Sequence, residues 1–290
     1  METESVMKVG FSTLGCPSWS LDTICRRAAE YGFEGVDFRG MGEEIDVATT
    51  PEFTNDLPRT RRRFADAGVA ICGISSSLKI CEGDMLDANL EEARRTIPIA
   101  LELNVDTIRV FGGGDAVRTD RSSLANIGQE TMQAVLSLDG ARKLKWIFES
   151  HDSWVAASDC RLLLDRIEDR AFGVLWDVGH TSRVGGESHE VSMKALEDRI
   201  YGVHLKDAIH DTTHPHAMAD GWRYVPPGSG QLPITEALAG LHSAGYGGWV
   251  LFEHEKRWHE ELADPEDIFP VFMEWYRQQM LSLGTPLSEQ

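Results

Sequence analysis

Four short runs in the second half of the chain end in groups able to do chemistry: "FESH" at 148–151, "WDVGHT" at 176–181, "VHLKD" at 203–207 and "LFEHE" at 251–255. In each, a few apolar residues of strand type lead into a polar side chain. These are Glu149, with His151 two residues on; Asp177, with His180 three on; His204, then Lys206 and Asp207; and Glu253, then His254 and Glu255. Glu149 to Asp177 is 28 residues and Asp177 to His204 is 27, one strand–helix repeat each, whereas His204 to Glu253 is 49. Taken singly, an acid at a strand end is most often a helix N-cap, and a histidine there is most often a hydrogen-bonded structural residue. Brought together at one mouth, three carboxylates would repel each other and take up protons unless a cation compensated them. Oxygen-rich ligands with a single imidazole favour Mn²⁺, Mg²⁺ or Co²⁺, with Zn²⁺ left open. Glu149, Asp177, His204 and Glu253 are therefore the expected ligands of one divalent metal ion.

The elements needed to bring them together can be read in order. Strand-like runs at 8–16, 35–40, 69–77, 105–114, 144–152, 172–180, 200–207 and 248–256 alternate with helical patterns at 20–32, 57–68, 87–104, 121–140, 158–168, 189–198, 233–244 and from about 265. Ser20 or Asp22 caps the first helix and Gly32 stops it, and Pro98 predicts an irregularity in the third. Strict alternation implies parallel strands joined by helical crossovers. Eight units in 290 residues fit an α/β protein, a closed (β/α)8 TIM barrel over 1–290 as a single domain. No Pro-, Gly- or Ser-rich linker divides it. In such a barrel the C-terminal strand ends form the active-site face. The excess between His204 and Glu253 sits in a polar loop, 208–231, expected to act as a lid.

Composition narrows the partners. Hydrophobic residues at 42% and charged residues at 26% suit a globular core with a solvated surface. A net charge of −19 repels nucleic-acid phosphates and anionic membranes, so neither is expected as a partner. Five cysteines, none in a C-x-x-C pair, read as reduced thiols of a cytoplasmic protein. The start, "METESVMKVG", has acids where a signal peptide carries bases.

The runs "FESH", "WDVGHT" and "VHLKD", the Gly-rich "PPGSGQ" and "GYGGWVLFEHE" resemble the xylose isomerase-like TIM barrels of the sugar phosphate isomerase/epimerase superfamily. The resemblance covers about the last half of the chain. It implies one divalent metal on Glu149, Asp177, His204 and Glu253, with His180 contacting substrate. It also implies an isomerase or epimerase acting on a sugar, ketose or keto-polyol through an ene-diolate, Glu149 and Glu253 serving as acid and base. Other members of the superfamily dehydrate a keto-polyol, as an inosose dehydratase does, which starts from the same proton removal.

Further residues are open to two readings. His151 contacts substrate or orients a ligand; Lys206 neutralises an oxyanion or pairs with Asp207; Trp19, Trp154 and Trp222 stack on a sugar or pack. Arg109 points into the mouth or into the barrel, and Glu255 with Lys256 reads as a surface ion pair. An endonuclease IV-like nuclease would need histidines at the third and fourth strand ends, where the chain reads "GISSSLK" and "VFGGG". A non-catalytic sugar-binding protein would not need the two glutamates. The substrate and the presence of a homo-oligomer are left open.

Overall fold

The computed structural model describes residues 6–284; residues 1–5 and 285–290, part of the expected 1–290 domain, lie outside the described residues. Eight parallel strands close a barrel: β1 Lys8–Ser12, β2 Gly35–Phe38, β3 Ala70–Lys79, β4 Thr107–Phe111, β5 Lys145–Glu149, β6 Phe172–Asp177, β7 Ile200–Leu205 and β10 Trp249–Phe252. Each pairs with its neighbours in chain order, and β1 pairs with both β2 and β10. Outside lie α1 Leu21–Tyr31, α2 Leu57–Ala67, α3 Leu86–Glu102, α4 Arg121–Leu136, α5 Ala157–Arg166, α7 His189–Leu196, α8 Ile234–Ser243 and α9 Pro265–Ser282. Ser20 is the cap of α1, accepting from the Thr23 N–H, and Gly32 ends the helix at φ +85°. Helix α3 runs through Pro98 without a break.

Side-chain alternation along each strand separates two interiors. Trp146 and Phe148, Val174 and Trp176, Val203 and Leu205, and Val250 and Phe252 pack outward into the main apolar core. Their alternates Glu149, Asp177, His204 and Glu253 turn into the barrel. Cys72, Trp249 and Leu251 form a separate small cluster. Burying about 25 cal/mol per Å² of apolar surface on both sides of the sheet holds the strands rigid and fixes the rim they present.

Two segments depart from the sequence reading. The sixth strand stops at Asp177 rather than continuing to 180, and Val178–Arg183 form a short helix, α6. The cause is Asp177, whose Oδ1 accepts the His180 N–H at 2.8 Å and starts a helical turn. The 208–231 segment is more than a loop: β8 Asp207–His210 and β9 Trp222–Val225 pair antiparallel as a hairpin. Its return is tied to Asp207, which accepts N–H groups of Ala208, Gly228, Gly230 and Leu232. The Gly-rich run follows from that cradle. A Cβ on Gly230 would sit 2.0 Å from Asp207 Oδ1, so no larger residue fits.

Candidate metal centre

Glu149, Asp177, His204 and Glu253 converge at the C-terminal end of the barrel, each offering one ligand atom within 4.8 Å of the others. All four are buried, at 5% exposure or less. The pairing staggers them: Asp177 lies opposite His204, but Glu149 lies opposite Leu175, and Leu251 lies opposite His204. Tilted strands in a closed barrel require such an offset, so equal sequence spacing does not mean equal register.

His204 sits between the two glutamates, its Nδ1 3.4 Å from Glu149 Oε1 and 3.2 Å from Glu253 Oε1. Asp177 Oδ2 is met by the Lys206 ammonium and His180 Nδ1, but neither ring nitrogen of His204 makes a well-aligned hydrogen bond among the described residues. Buried polar atoms are rarely left so. An orphaned imidazole in a set of three carboxylates and one histidine, their ligand atoms gathered at one point, fits a hard divalent cation.

Cations already hold these acids in their charged form. Burial alone would push the Glu149 carboxyl up, but the adjacent His204 ring and the Arg109 guanidinium hold it well below the usual carboxylate range. Burial opposes Asp177 in the same way and is outweighed by His180 and Lys206. Glu253 is held down by His204 and Lys206 against its burial. Burial pushes His204 down, and Glu253 and Glu149 push it well above an ordinary imidazole.

Lys206 does not pair with Asp207. Its ammonium, 2% exposed, lies 2.8 Å from Asp177 Oδ2 and 2.9 Å from Glu255 Oε1 and also bonds Glu253. Glu255 is thus an inward partner of Lys206 and not a surface pair with Lys256, which instead meets Asp264 at 3.0 Å and the carbonyls of Glu260 and Leu262. Arg109 points into the barrel, its Nε 3.4 Å from Glu149 Oε2 and its guanidinium 3.8 Å over the Phe111 ring.

Around the mouth, His180 places Nδ1 2.9 Å from Asp177 Oδ2, and the His151 ring stands perpendicular to it at 4.4 Å. His151 Nδ1 is 2.7 Å from Asp152. Trp222 packs on His210 of its own hairpin at 5.5 Å and is not brought into the ligand cluster, while Tyr224, two residues on, lies 6.0 Å over the Lys206 ammonium. Trp19 and Trp154 are buried packing residues, bonded to Glu266 and to the Gly113 carbonyl. The hairpin is clasped to α6 by Arg183, whose Nη1 is 2.6 Å from Asp220 Oδ2. Arg183, Tyr224 and the role of Glu255 were not foreseen. Their only sequence signal was charge and aromaticity close to the strand ends.

The family model of the xylose isomerase-like TIM barrel matches residues 25–279. Among curated proteins none matches. Among solved structures, the "probable 3-DHS dehydratase AsbF" of Bacillus anthracis is similar at TM-score 0.75 and 18% identity, over 93% of this chain and 99% of that one. The 3-keto-D-glucoside 4-epimerase YcjR of E. coli is similar at TM-score 0.72 and 15% identity, over 94% and 99%. A xylose isomerase-like TIM barrel protein of Mycobacterium smegmatis in complex with magnesium is similar at 0.69 and 16%, over 98% and 99%. At these identities the likeness is one of fold. No helix among the described residues is long and apolar enough to cross a membrane.

Proposed function

The chain belongs to the xylose isomerase-like TIM barrel family, and from that premise we propose that it is a divalent-metal-dependent isomerase or epimerase acting on a sugar, ketose or keto-polyol. The observation that carries the reading is the buried Glu149–Asp177–His204–Glu253 cluster, with His204 orphaned at both ring nitrogens. A cation held there, Mn²⁺, Mg²⁺ or Co²⁺, would draw electron density from a carbonyl and its adjacent hydroxyl and acidify the carbon-bound proton between them. Glu149 and Glu253 reach His204 from two strands, β5 and the end of β10, and so flank the space where that carbon would lie. One carboxylate takes the proton and the other returns it, to the neighbouring carbon for isomerisation or to the opposite face for epimerisation. His204, with Arg109 beside Glu149 and Lys206 beside Glu253, favours the carboxylate form, so the glutamate acting as base is ready to accept and the one acting as acid must first take up the proton it delivers. His180 and His151 stand at the mouth, where they would orient hydroxyls, and the clasped hairpin would exclude water.

The buried Lys206 ammonium beside Glu253 favours one second reading. It can supply a proton to a departing hydroxyl, which would make the enzyme a keto-polyol dehydratase. In deuterated water with Mn²⁺ and a panel of ketoses and keto-polyols, the enzyme is expected to place deuterium alpha to the carbonyl; substrate deuterated at that carbon should react more slowly. Glu253→Gln should retain metal but lose roughly 10²- to 10⁴-fold in turnover. Water loss with a new enone absorbance would select the dehydratase. No exchange, no isotope effect and unchanged turnover in Glu149→Gln and Glu253→Gln would overturn both.

A further inference from the structure

On the opposite side of the mouth from the four-residue cluster, directly after β2, Arg39 is 91% buried. Its Nη1 donates to Ser77 Oγ at 2.9 Å and to the Ser75 carbonyl at 3.4 Å, and its guanidinium lies 5.7 Å over the Phe111 ring. Phe111 is the ring that Arg109 and His151 also touch, at 3.8 and 5.3 Å, so Arg39 borders the same mouth. Among the described residues its Nε and Nη2 make no hydrogen bond and no carboxylate lies within 4.0 Å of it. Both nitrogens are nonetheless reachable from outside, since neither is among the fully enclosed orphan atoms.

That is an unusual state for a guanidinium, because a charge taken out of water is costly unless it is paired. Arg199 shows how the fold settles a buried arginine it uses structurally: its Nε and Nη2 donate to the carbonyls of Phe172, Ile167 and Asp169. Arg39 has no such set. The carboxylates on its side, Asp37 and Glu92, are engaged by Ser75 Oγ and the Ser77 N–H. Burial raises both of these acids above an ordinary carboxylate. Burial and the neighbouring Arg109 charge lower Arg39 itself to about 10, which leaves it cationic at neutral pH. Elsewhere in the site, Lys206, Arg109 and a divalent ion would match the charge of Glu149, Asp177, Glu253 and Glu255. Glu92, Glu149 and Asp37 act on Arg39 only from beyond 4.0 Å, so its guanidinium touches no opposite charge among the described residues.

We propose that Arg39 anchors an anionic group of the substrate, a carboxylate or a phosphate, so that the site takes keto-polyols carrying a negative charge at the end away from the metal ligands. This rests on the sugar or keto-polyol reading above and narrows it. The two open nitrogens, Nε and Nη2, form the edge of the guanidinium that grips an oxyanion in two parallel hydrogen bonds. The chain's net charge of −19 does not oppose this, because at physiological salt exposed charges are screened beyond about 8 Å while a buried pair is not.

Three unreactive six-carbon polyols test it: D-sorbitol, D-gluconate and D-sorbitol 6-phosphate, which are uncharged, carboxylated and phosphorylated. Calorimetric titration of each into the metal-free and the Mn²⁺-loaded protein should show one anion binding roughly ten- to a hundred-fold tighter than sorbitol, the range of a charge-assisted hydrogen bond. Which anion wins identifies the group. Arg39→Gln should bring that anion to within about two-fold of sorbitol and leave sorbitol unchanged, and Arg39→Lys, which keeps charge but not the fork, should retain part of the preference. Equal binding of all three to the wild type, or a preference that survives Arg39→Gln, would overturn the proposal. If Arg39→Gln does not fold, Arg39→Lys decides: full retention of the preference overturns it, partial loss upholds it. Mn²⁺ titration of the same samples reads the metal centre separately. Absence of Mn²⁺ binding would sink the functional reading, while the metal-free arm would still answer for Arg39.

Discussion

Replacing Lys206 by methionine separates the two cations that the ligand cluster can use. In the metal-free protein the ammonium contacts Asp177, Glu253 and Glu255, and it is 2% exposed. Methionine of similar length fills the space but leaves three carboxylates without their shared counter-ion. Removing one partner of a buried ion pair costs roughly 3–5 kcal/mol. With an unfolding entropy near 2.1 cal/mol/K per residue, a chain of this length loses about 1.5–2 °C in Tm per kcal/mol, which gives a fall of roughly 5–8 °C. Saturating Mn²⁺ changes the arithmetic. Asp177 and Glu253 then have a divalent neighbour, and Glu255, with its side chain 12% exposed, is the only acid left short. That residual cost is about 1–3 kcal/mol. Differential scanning calorimetry of wild type and Lys206→Met, in chelator and in saturating Mn²⁺, should therefore show the larger drop without metal. Equal drops under the two conditions, or none in chelator, would refute the idea that lysine and metal act on the same carboxylates.

Other outcomes follow from the same geometry. Asp177→Asn keeps an N-cap for α6 but removes a charge, so it should retain the fold by circular dichroism and lose Mn²⁺ affinity at least ten-fold by calorimetry; wild-type affinity would remove Asp177 from the ligand set. Arg183→Ala breaks the clasp to Asp220 and should raise KM several-fold while leaving Mn²⁺ affinity intact; unchanged kinetics would make the hairpin a static cover. His254, bonded at 2.8 Å to the Ala263 carbonyl, is lowered from 6.5 to about 4, chiefly by burial. The unfolded chain therefore takes up this proton first, so the contribution to stability is intact above pH 6.5 and lost as pH falls to about 4, to a total of about 3 kcal/mol. His254→Gln should flatten the urea-unfolding profile over that window by a similar amount, and an unaltered slope would show that His254 titrates normally.

The strand ends were legible because a parallel barrel repeats itself: alternation chooses the inward residue, and each crossover costs about the same length of chain. That logic located Glu149, Asp177, His204 and Glu253. It failed where closure in space, not period, decides the partner. Lys206 meets Glu255 across 49 residues, and Arg183 meets Asp220 across 37. Nothing periodic links such pairs, so the adjacent residues Asp207 and Lys256 looked like the partners and were not. The hairpin was missed because its strands have only four residues each and sit in a polar segment. Arg39 could have been noticed by applying the late-strand rule to "GVDFRG", since it too is a charge delivered at the end of an apolar strand.

Asp177 shows why weighing a structural against a functional role can pose a false choice. A carboxylate has two oxygens, and here they are divided. Oδ1 caps α6 through the His180 N–H, and Oδ2 faces Lys206 Nζ and His180 Nδ1 at 2.8 and 2.9 Å. The cap fixes the side-chain torsion, and that torsion aims the second oxygen into the cluster. It also forces the chain to turn at Val178, which carries the His180 ring back over the acid that started the turn. Had the strand continued to 180, alternation would have sent His180 to the face opposite Asp177. The cap is therefore what brings acid and imidazole to the same mouth, and a buried Asp at this strand end is tolerated because every contact it makes is with a donor or a cation.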